Sequence, residues 1–420
     1  MTPEVKERIE QIWHGNVPEG YKKTKAGIYP EDWTECTMGD IYTERKEPGN
    51  ESLPLLMVSI HSGVSDGEVD EEDLPKKVKR IEDKTQYKRA ASGDLVFNMM
   101  RAWQGAIGTV RTEGMVSPAY IVAEPNKLVA PLFMDYLMRT PRMVGTIHKQ
   151  SYGVTDFRLR LYWDSFAPIH CVLPSVPEQE KIGEAVDIQN KVIDLKEKLL
   201  AEKQRQKKYL MQQLLTGKKR LPGFDGEWRN VKLNEVLFER KEKNANQDHR
   251  ICSVAVQKGV VDQIEHLGRS YAAADTSNYG VAHFGDIIYT KSPTGDFPYG
   301  IIKQSHMKEA VAISPLYGIY EPACYELGYL LHTYFSNAAN CLNYLTPIIH
   351  KGAKNTINIT NDVFVSQKLY LPIDESEQKA LASIFVVADR EIDLLRQDLE
   401  QEKQKKKALM QLLLTGIVRM

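Results

Sequence analysis

Two stretches of the chain share one helical spacing of apolar residues, and they are near-copies of each other. Residues 178–217 align with residues 377–416 without a gap, and 15 of the 40 aligned positions are identical. In the second copy the apolar residues recur at steps of three and four, at Leu381, Phe385, Ala388, Ile392, Leu395, Leu399, Leu409 and Leu413. This spacing predicts a long helix that packs along another helix through one seam.

The first copy has the same seam with more polar positions in it. Its apolar members are Ile182, Val186, Ile193, Leu200, Leu210 and Leu214, with Gln189, Lys196 and Lys203 between them. Both copies are rich in strong helix formers, and both end in Thr-Gly, where Gly217 and Gly416 are expected to be left-handed C-caps. A helix of about 38 residues would be roughly 57 Å long. Such a rod can hold two modules at a fixed distance.

The segments in front of each rod form two modules, residues 34–175 and 229–373, that share landmarks. Each module follows a tryptophan-ended lead-in, Gly27 to Trp33 and Pro222 to Trp228. The matched apolar runs, each predicting a strand, are Leu55 to Ile60 with Ile251 to Val256 and Gly93 to Phe97 with Gly285 to Tyr289. In Ser117 to Tyr120 and in Ser314 to Tyr317, a Ser-Pro pair is followed by a predicted strand that contains the tyrosine. Helical segments at Leu132 to Met138 and Glu326 to Phe335 follow, and His148-Lys149 and His350-Lys351 are matched before the rods. Loops of different length on a common frame are typical of binding modules with two specificities.

The N-terminal segment resembles a fragment of the rod. Pro3 to Trp13 predicts a short amphipathic helix, with Val5, Ile9, Ile12 and Trp13 on one side. We therefore divide the chain into residues 1–33 (helix and lead-in), 34–175 (first module), 176–217 (first long helix), 218–228 (linker), 229–373 (second module) and 374–420 (second long helix).

Composition adds few constraints. A length of 420 residues favours two or more domains, and a formal net charge of −1 means that any basic surface must be local. The five cysteines contain no C-x-x-C pair, which favours a reducing compartment without structural zinc. No apolar run reaches membrane-spanning length and the first residues do not resemble a signal peptide, so we expect a cytoplasmic protein without a membrane partner.

No assembled catalytic motif is present in the sequence. Gly295 to Gly300 has the glycine spacing of a phosphate-binding loop, but Ile301 stands where the lysine must be. Ser117 to Tyr120 is similar to the Asn/Asp-Pro-Pro-Tyr/Phe motif of amino-methyltransferases, but serine lacks the amide or carboxylate that holds the amino group. A turn that leads into a strand is the better interpretation of this segment.

The duplicated rod, together with the variable modules between its copies, resembles the specificity subunit of type I restriction–modification systems. The most specific parts of the resemblance are Leu210 to Gly217 and Pro222 to Trp228, and it covers nearly the whole chain. It implies an α+β fold: two similar mixed α/β target-recognition domains joined by two long helices that form an antiparallel coiled coil with pseudo-two-fold symmetry.

The resemblance also implies a function. Each domain would read one half of a split target in double-stranded DNA, and the helices would set the gap between the halves. The helices would also dock two methyltransferase subunits, which carry S-adenosylmethionine and the adenine-N6 chemistry, and a restriction subunit would join for cleavage. The chain itself is expected to be noncatalytic and to bind no cofactor or metal.

We predict DNA contacts in the polar loops of both modules, because Arg and Gln suit bidentate recognition of bases while Lys and Ser suit phosphate. The candidates in the first module are Arg101, Trp103, Gln104, Lys149, Tyr152, Arg158 and Arg160. The candidates in the second module are Lys291, Ser292, Thr294, Lys351, Lys354 and Asn355. Each of these could equally be an ordinary solvated loop residue, and Trp103 could belong to the core.

Two other functions are consistent with parts of the pattern. A coiled-coil scaffold would use the same rods with modules that bind protein rather than DNA. A bifunctional enzyme would carry its own methyltransferase or nuclease, and it would need a cofactor loop and a catalytic motif that the sequence does not contain.

Overall fold

The computed structural model describes residues 2–60, 62–65, 67, 81–155, 158–351 and 357–420, with the backbone alone at 350, 351, 357 and 358. The helices are α1 Pro3–Trp13, α2 Met38–Ile41, α3 Pro131–Met138, α4 Pro141–Gln150, α5 Trp163–Phe166, α6 Val176–Leu214, α7 Gln263–Leu267, α8 Tyr325–Phe335, α9 Ala338–Leu345, α10 Asn361–Ser366 and α11 Glu375–Leu413. The chain forms two compact units: unit 1 is Met1–Glu197 with Asp398–Met420, and unit 2 is Lys198–Gln397. Of the helices described, none is long and apolar enough to cross a membrane.

The strands are short and fall mainly in the two modules. Those before α6 are β1 Tyr21–Thr24, β2 Gly27–Pro30, β3 Thr34–Thr37, β4 Tyr42–Arg45, β5 Val58–Ser59, β6 Gly63–Val64, β7 Lys88–Ala90, β8 Leu95–Asn98, β9 Ile107–Thr109, β10 Gly114–Val116, β11 Tyr120–Pro125 and β12 His170–Leu173. Those after α6 are β13 Trp228–Lys232, β14 Leu237–Glu239, β15 Arg250–Ala255, β16 Gly259–Asp262, β17 Gly280–Ala282, β18 Ile287–Tyr289, β19 Ile302–Gln304, β20 Val311–Ile313, β21 Gly318–Pro322, β22 His350–Lys351, β23 Ile357–Asn358 and β24 Lys368–Pro372.

Each unit contains the same antiparallel four-stranded sheet. The strand order is β4-β11-β8-β9 in unit 1 and β14-β21-β18-β19 in unit 2. The Gly-Asp runs predicted as strands become β8 and β18, and the Ser-Pro runs become turns that lead into β11 and β21. The predicted common frame is therefore observed at the level of strand order.

A buried ion pair is repeated on this frame. The Arg45 guanidinium donates to the Asp94 carboxylate in unit 1, and Arg240 donates to Asp286 in unit 2, each with an Nε–Oδ2 distance of 2.7 Å. Both aspartates are almost fully buried. Because a buried carboxylate requires a paired cation, the pairing explains why arginine and Gly-Asp recur in register in both modules.

A second sheet differs between the units. In unit 2 its order is β16-β15-β20-β17, and β15 pairs in parallel with β20. In unit 1 the corresponding parallel contact is a single bridge between Leu55 and Met115. The prediction of a strand over Leu55 to Ile60 is therefore wrong, since this run forms only the two-residue β5, whereas Ile251 to Val256 does lie mostly in β15. At this bridge the Leu56 N–H donates to the Met115 carbonyl and the Met115 N–H donates to the Pro54 carbonyl, each at 2.8 Å.

The long helices α6 and α11 have 39 residues each, equivalent to about 58 Å. In each unit their segments run antiparallel. In unit 1 Gln189 and Lys196 of α6 both hydrogen-bond to Glu402 of α11, at 2.6 and 3.0 Å. In unit 2 Lys203 of α6 pairs with Glu391 of α11 at 2.6 Å, and Lys207 pairs with Asp389.

The seam predicted from the sequence is the buried face of these helices. Ile182 and Val186 are fully buried in unit 1, and Leu381 and Phe385 are buried in unit 2. The polar seam residues of α6 are matched by acidic partners on α11, so they do not leave unpaired groups. The hydrogen bonds from Gln189 and then Lys196 lower the pKa of the Glu402 carboxyl to about 2.

The residues just after the two long helices make the same contact in each unit. In unit 2 Arg220, just after α6, donates to both oxygens of Glu377 at 2.7 and 2.8 Å, and its guanidinium lies over the Trp228 ring. In unit 1 Arg419, just after α11, donates in the same way to Glu178 at 2.6 and 2.8 Å and lies over Trp33. The end of one long helix is thus fastened to the start of the other, through residues that the duplication has copied.

The glycine C-caps are confirmed at both rod ends. Gly217 and Gly416 have φ of +67° and +70°, a conformation that favours glycine. A Cβ at Gly416 would lie 2.6 Å from Pro30 and 3.1 Å from Trp33. The close approach of the cap to this aromatic residue explains why Leu-Thr-Gly and the tryptophan-ended lead-in recur together.

The N-terminal helix α1 has the predicted bounds and packs on the end of α11. Arg8 Nη1 donates to the Ile417 carbonyl at 2.6 Å, and the Tyr21 hydroxyl donates to the Gly416 carbonyl at 2.7 Å. Trp13, which the sequence places on the same side of the helix as Val5, Ile9 and Ile12, is 83% exposed. The helix ends at Trp13. Its packed side is formed by Val5, Ile9 and Ile12, which are half-buried.

Candidate nucleic-acid interface

The predicted contact residues of the two modules lie in equivalent loops. Arg101, Trp103 and Gln104 are in the connection between β8 and β9, and Lys291, Ser292 and Thr294 are in the connection between β18 and β19. The two strand pairs occupy the same place in their sheets. The connecting segments, residues 99–106 and 290–301, differ in length and sequence. The frame thus presents two different loops at the same edge.

The loop of unit 1 is held by its own backbone and by one buried anchor. The Asn98 side chain accepts from the Met100 N–H at 2.9 Å, and a 3₁₀ turn over Ala102–Gln104 buries Ala102. Gly105 closes the turn with φ of +103°. Arg101 and Gln104 remain exposed on this fixed turn. A rigid loop with exposed polar side chains suits recognition, because little entropy is lost on binding.

Trp103 is partly buried in the core and partly exposed. Its ring packs against the main core of unit 1, and its Nε1 donates to the Met100 carbonyl at 3.0 Å. Its other neighbour is His148, with ring centroids 5.5 Å apart. Trp103 therefore supports the loop and remains partly exposed.

A second segment comes to the same end of the sheet. Leu161 N–H donates to the Met99 carbonyl at 2.9 Å, which joins the segment at Leu161 to the β8–β9 loop. Tyr152 and Arg160 exchange backbone hydrogen bonds at 3.0 and 2.9 Å, so these two residues and Arg158 lie on one short hairpin. Lys149 is in the last turn of α4, just before it. The structure therefore brings together all seven candidates of the first module.

Charge distinguishes this end of unit 1 from the rest of the unit. Arg101, Lys149, Arg158 and Arg160 are exposed, and among the described residues none of the four makes an ion pair. By contrast, the arginines elsewhere in the module are mostly paired with acids: Arg45 with Asp94, Arg89 with Glu113, Arg111 with Asp187 and Arg139 with Asp135. Unpaired cations grouped in one place form a local positive surface despite the near-zero net charge.

The loop of unit 2 contains a strained residue. Lys291 has φ of +58°, which is uncommon for a residue other than glycine. Burial lowers the pKa of its ammonium group, and the charge of Glu239 acts in the opposite direction. Strained backbone at a loop is often found at functional sites. Ser292 is exposed, and Thr294 begins a tight turn in which it exchanges backbone hydrogen bonds with Phe297.

The remaining candidates of the second module are only partly described. Lys354 and Asn355 lie outside the described residues, and for Lys351 only the backbone is described. Lys351 pairs with Ile357 in the β22–β23 hairpin, which takes the place of the Tyr152–Arg160 pair. The predicted match of His148 with His350 is wrong, because His148 is in helix α4 whereas His350 is in strand β22.

Two other features were missed at the sequence level. One is Arg269, whose guanidinium lies 4.5 Å from the centroid of the exposed Tyr271 ring in the segment after α7. The other is a pair of exposed apolar residues that the duplication has copied onto each long helix. Ile188 and Leu195 are 61% and 65% exposed on α6, and the aligned Val387 and Leu394 are 65% and 56% exposed on α11. These positions break the seam pattern, and that could have identified them.

The described residues provide no obvious centre for chemistry. No group of three His, Cys, Asp or Glu side chains in the described ranges is placed to hold a metal ion. His332 accepts a hydrogen bond from the Gln304 N–H at 3.0 Å, and burial lowers its pKa well below the usual value. Its role in this environment is to satisfy the backbone of β19.

Comparison with known protein structures identifies the fold of this chain. No protein-family model and no curated protein sequence matches the chain. The S subunit of a type I restriction–modification system from M. genitalium aligns with 91% of this chain and 96% of its own, with a TM-score of 0.55 and 10% identity. The chain has the fold of a type I S subunit.

Two further solved chains align over a similar length. The HsdS subunit from Thermoanaerobacter tengcongensis covers 93% of this chain and 98% of its own, with 18% identity and a TM-score of 0.47. A chain from a study of complex assembly and conformational transition of the type I R-M system covers 93% and 99%, with 17% identity and a TM-score of 0.47.

Proposed function

We propose that this chain is the sequence-specificity subunit of a type I restriction–modification complex, in which each module reads one half of a split DNA target. The observation that carries the proposal is the repeated sheet, which presents two different polar loops at one equivalent edge. Reading two half-sites calls for two such surfaces held at a set spacing. Each long helix contributes residues to both units, and we expect the two helices to set that spacing.

The exposed cations of the first module, which make no ion pair within the described part of the chain, support DNA as the ligand. Arg101 and Gln104 are exposed on a fixed turn and can reach base edges, while Lys149, Arg158 and Arg160 can meet phosphates. An arginine in bidentate contact with guanine contributes about 1–3 kcal/mol of discrimination against other bases. Contacts to phosphate add affinity that falls as salt rises.

The DNA proposal is tested by selection from a randomised duplex library, with the chain bound to its methyltransferase partner. We expect the selected sequences to contain two conserved blocks separated by a fixed number of unconserved base pairs. Arg101→Ala combined with Gln104→Ala should relax one block and leave the other unchanged. Lys127→Ala is the matched control, because Lys127 is an exposed cation beyond the opposite end of β11.

Other results would contradict the proposal. If both blocks relaxed together in the double variant, the loop would not be a reader of one half-site. If the complex selected no sequence and bound DNA with no dependence on salt, the modules would be better explained as protein-binding parts of a scaffold.

We further propose that the two exposed apolar pairs on the long helices dock two methyltransferase subunits, one on each pair. The chain holds no assembled catalytic motif, so the S-adenosylmethionine and the adenine-N6 chemistry are expected on those subunits. Two copies of one surface suit two copies of one partner. Such a complex, and any restriction subunit that joins it, would act in the cytoplasm, where the host DNA is.

The docking proposal predicts stoichiometry. Native mass spectrometry should find two methyltransferase subunits on the wild-type chain, one on the variant Val387→Asp/Leu394→Asp, and none when Ile188→Asp/Leu195→Asp is added. Ser383→Asp, at an exposed polar position of α11, is the control and should retain two. Two partners retained by the fourfold variant would place docking elsewhere.

A further inference from the structure

Two cysteines face each other across a strand pair in unit 1. Cys36 on β3 and Cys171 on β12 are directly opposite in the antiparallel register. Their Sγ atoms are 3.4 Å apart. Opposite residues in an antiparallel pair have Cα atoms about 4.5 or 5.5 Å apart, and both values are within the range of about 4.4–6.8 Å that disulfides span. The register and the separation of the sulfur atoms are therefore compatible with a disulfide between the two residues.

The two thiols differ in exposure and in acidity. Cys36 is half-buried, whereas Cys171 is buried. The hydrogen bond between the sulfur atoms lowers the pKa of the Cys36 thiol, although burial and the charges of Asp40 and Glu35 act in the opposite direction. The same hydrogen bond and then burial raise the pKa of Cys171. Since the thiolate is the nucleophile, we expect the more exposed and more acidic Cys36 to react first and Cys171 to follow.

This arrangement is not part of the duplicated frame. The equivalent strand pair of unit 2 is β13 with β24, and the positions aligned with Cys36 and Cys171 are Val231 and Leu369, which are also opposite each other. A pair of apolar residues therefore suffices for packing at this place. The remaining cysteines are single: Cys252, Cys324 and Cys341 are free, and no hydrogen bond or ring contact between them occurs in the described structure.

We propose that Cys36 and Cys171 form a reversible disulfide by exchange with a low-molecular-weight disulfide, which makes unit 1 sensitive to oxidation. The Cys36 thiolate attacks one sulfur of the reagent, forms a mixed disulfide and expels the first thiolate. Cys171 loses its proton to solvent and attacks Cys36 Sγ, which forms the protein disulfide and expels the second thiolate. Two thiols are oxidised and one disulfide is reduced to two thiols, so electrons and atoms balance.

The bond would close a long loop. The two cysteines are 135 positions apart, and the segment between them contains the reading loop of unit 1 and the sheet that holds it. β12 also leads directly into α6. A cross-link over so long a loop restricts the unfolded chain strongly, so we expect the oxidised form to unfold at a temperature at least about 5 °C higher than the reduced form.

The experiment uses the full chain in buffers with rising ratios of oxidised to reduced glutathione. Exchange is quenched with acid, the protein is denatured so that buried thiols are accessible, remaining thiols are alkylated, and the protein is digested and analysed by mass spectrometry. We expect one peptide pair joined through Cys36 and Cys171, its loss on return to reduced glutathione, and alkylation of Cys252 under all conditions. Thermal unfolding of the same samples should show the rise in midpoint, which must be absent in Cys36→Ser and in Cys171→Val.

The variants separate the steps. Cys171→Val, which copies the apolar side chain type of the equivalent site in unit 2, should retain a glutathione adduct on Cys36, whereas Cys36→Ser should form neither adduct nor cross-link. The proposal is overturned if oxidised glutathione leaves both cysteines of the wild-type chain open to alkylation. It is equally overturned if the wild-type chain stops at a stable glutathione adduct on Cys36.

Discussion

Removal of the Phe385 ring tests whether α11 is part of the core of unit 2. Phe385 is fully buried and packs with Leu214, Trp228, Leu330 and Leu381. Phe385→Ala removes a large apolar side chain and leaves a cavity, which costs about 3–5 kcal/mol. The higher helix propensity of alanine offsets roughly 0.5 kcal/mol of this loss of stability. We therefore expect unit 2 to lose about 3–4 kcal/mol, equivalent to a fall in unfolding temperature of about 10 °C for a unit of this size.

The assay is urea unfolding followed by hydrogen–deuterium exchange of peptides from α8, because these report on unit 2 alone. Val387→Ala is the matched control on the same helix. Val387 is 65% exposed, so its truncation should change stability by less than about 0.5 kcal/mol. Equal effects of the two substitutions, or a loss below about 1 kcal/mol for Phe385→Ala, would refute a shared core of the rod and the module.

Three further predictions concern caps, charge and the repeat. Gly416→Ala should destabilise unit 1 by about 1–3 kcal/mol, because the new Cβ meets Pro30 and the backbone is left-handed; Gly145→Ala, in a helix with open space around it, should be neutral or slightly stabilising in the same melting assay. Burial first, and then the charge of Lys207, lowers the pKa of Lys303 to about 8, while Asp389 acts in the opposite direction. Between roughly pH 8 and pH 10.4 the unfolded state therefore holds more protons than the folded state, so the wild-type unit gains about 2–3 kcal/mol as pH rises, and Lys303→Met should abolish that gain in urea titrations at pH 7 and pH 10. Val186→Ala, at the position aligned with Phe385, should cost unit 1 about 2 kcal/mol in urea unfolding, less than the aligned substitution costs unit 2, because fewer buried carbons are removed.

The long helices could be predicted from the sequence because their information is local. Apolar spacing identified the buried face at Leu381, Phe385 and Ile392, and the terminal glycines identified the caps. The polar residues of the seam could not be explained in the same way. Gln189 and Lys196 are accommodated in the seam because they hydrogen-bond to Glu402, which is more than 200 positions away in the sequence. Partners at that distance become visible only in the folded chain.

The modules were less predictable for the same physical reason. The Gly-Asp and Ser-Pro turns predicted β8, β11, β18 and β21, because a turn is determined by two to four neighbouring residues. The run from Leu55 to Ile60 has the composition of a strand, but the sheet around it is reduced in unit 1, and tertiary context overrode propensity. The grouping of Arg101 with Lys149, Tyr152 and Arg160 needed a backbone contact between Met99 and Leu161 that no local pattern encodes.

The measurement that tests the central claim most directly is a map of methylated adenines in the DNA of the host strain, with and without this gene. We predict one family of methylated sites, made of two short conserved blocks with a fixed gap, that disappears when the gene is deleted. In a strain that carries Arg101→Ala and Gln104→Ala, one block should relax while the gap stays the same. Methylation that is unchanged by deletion of the gene, or that follows one continuous sequence, would contradict the account.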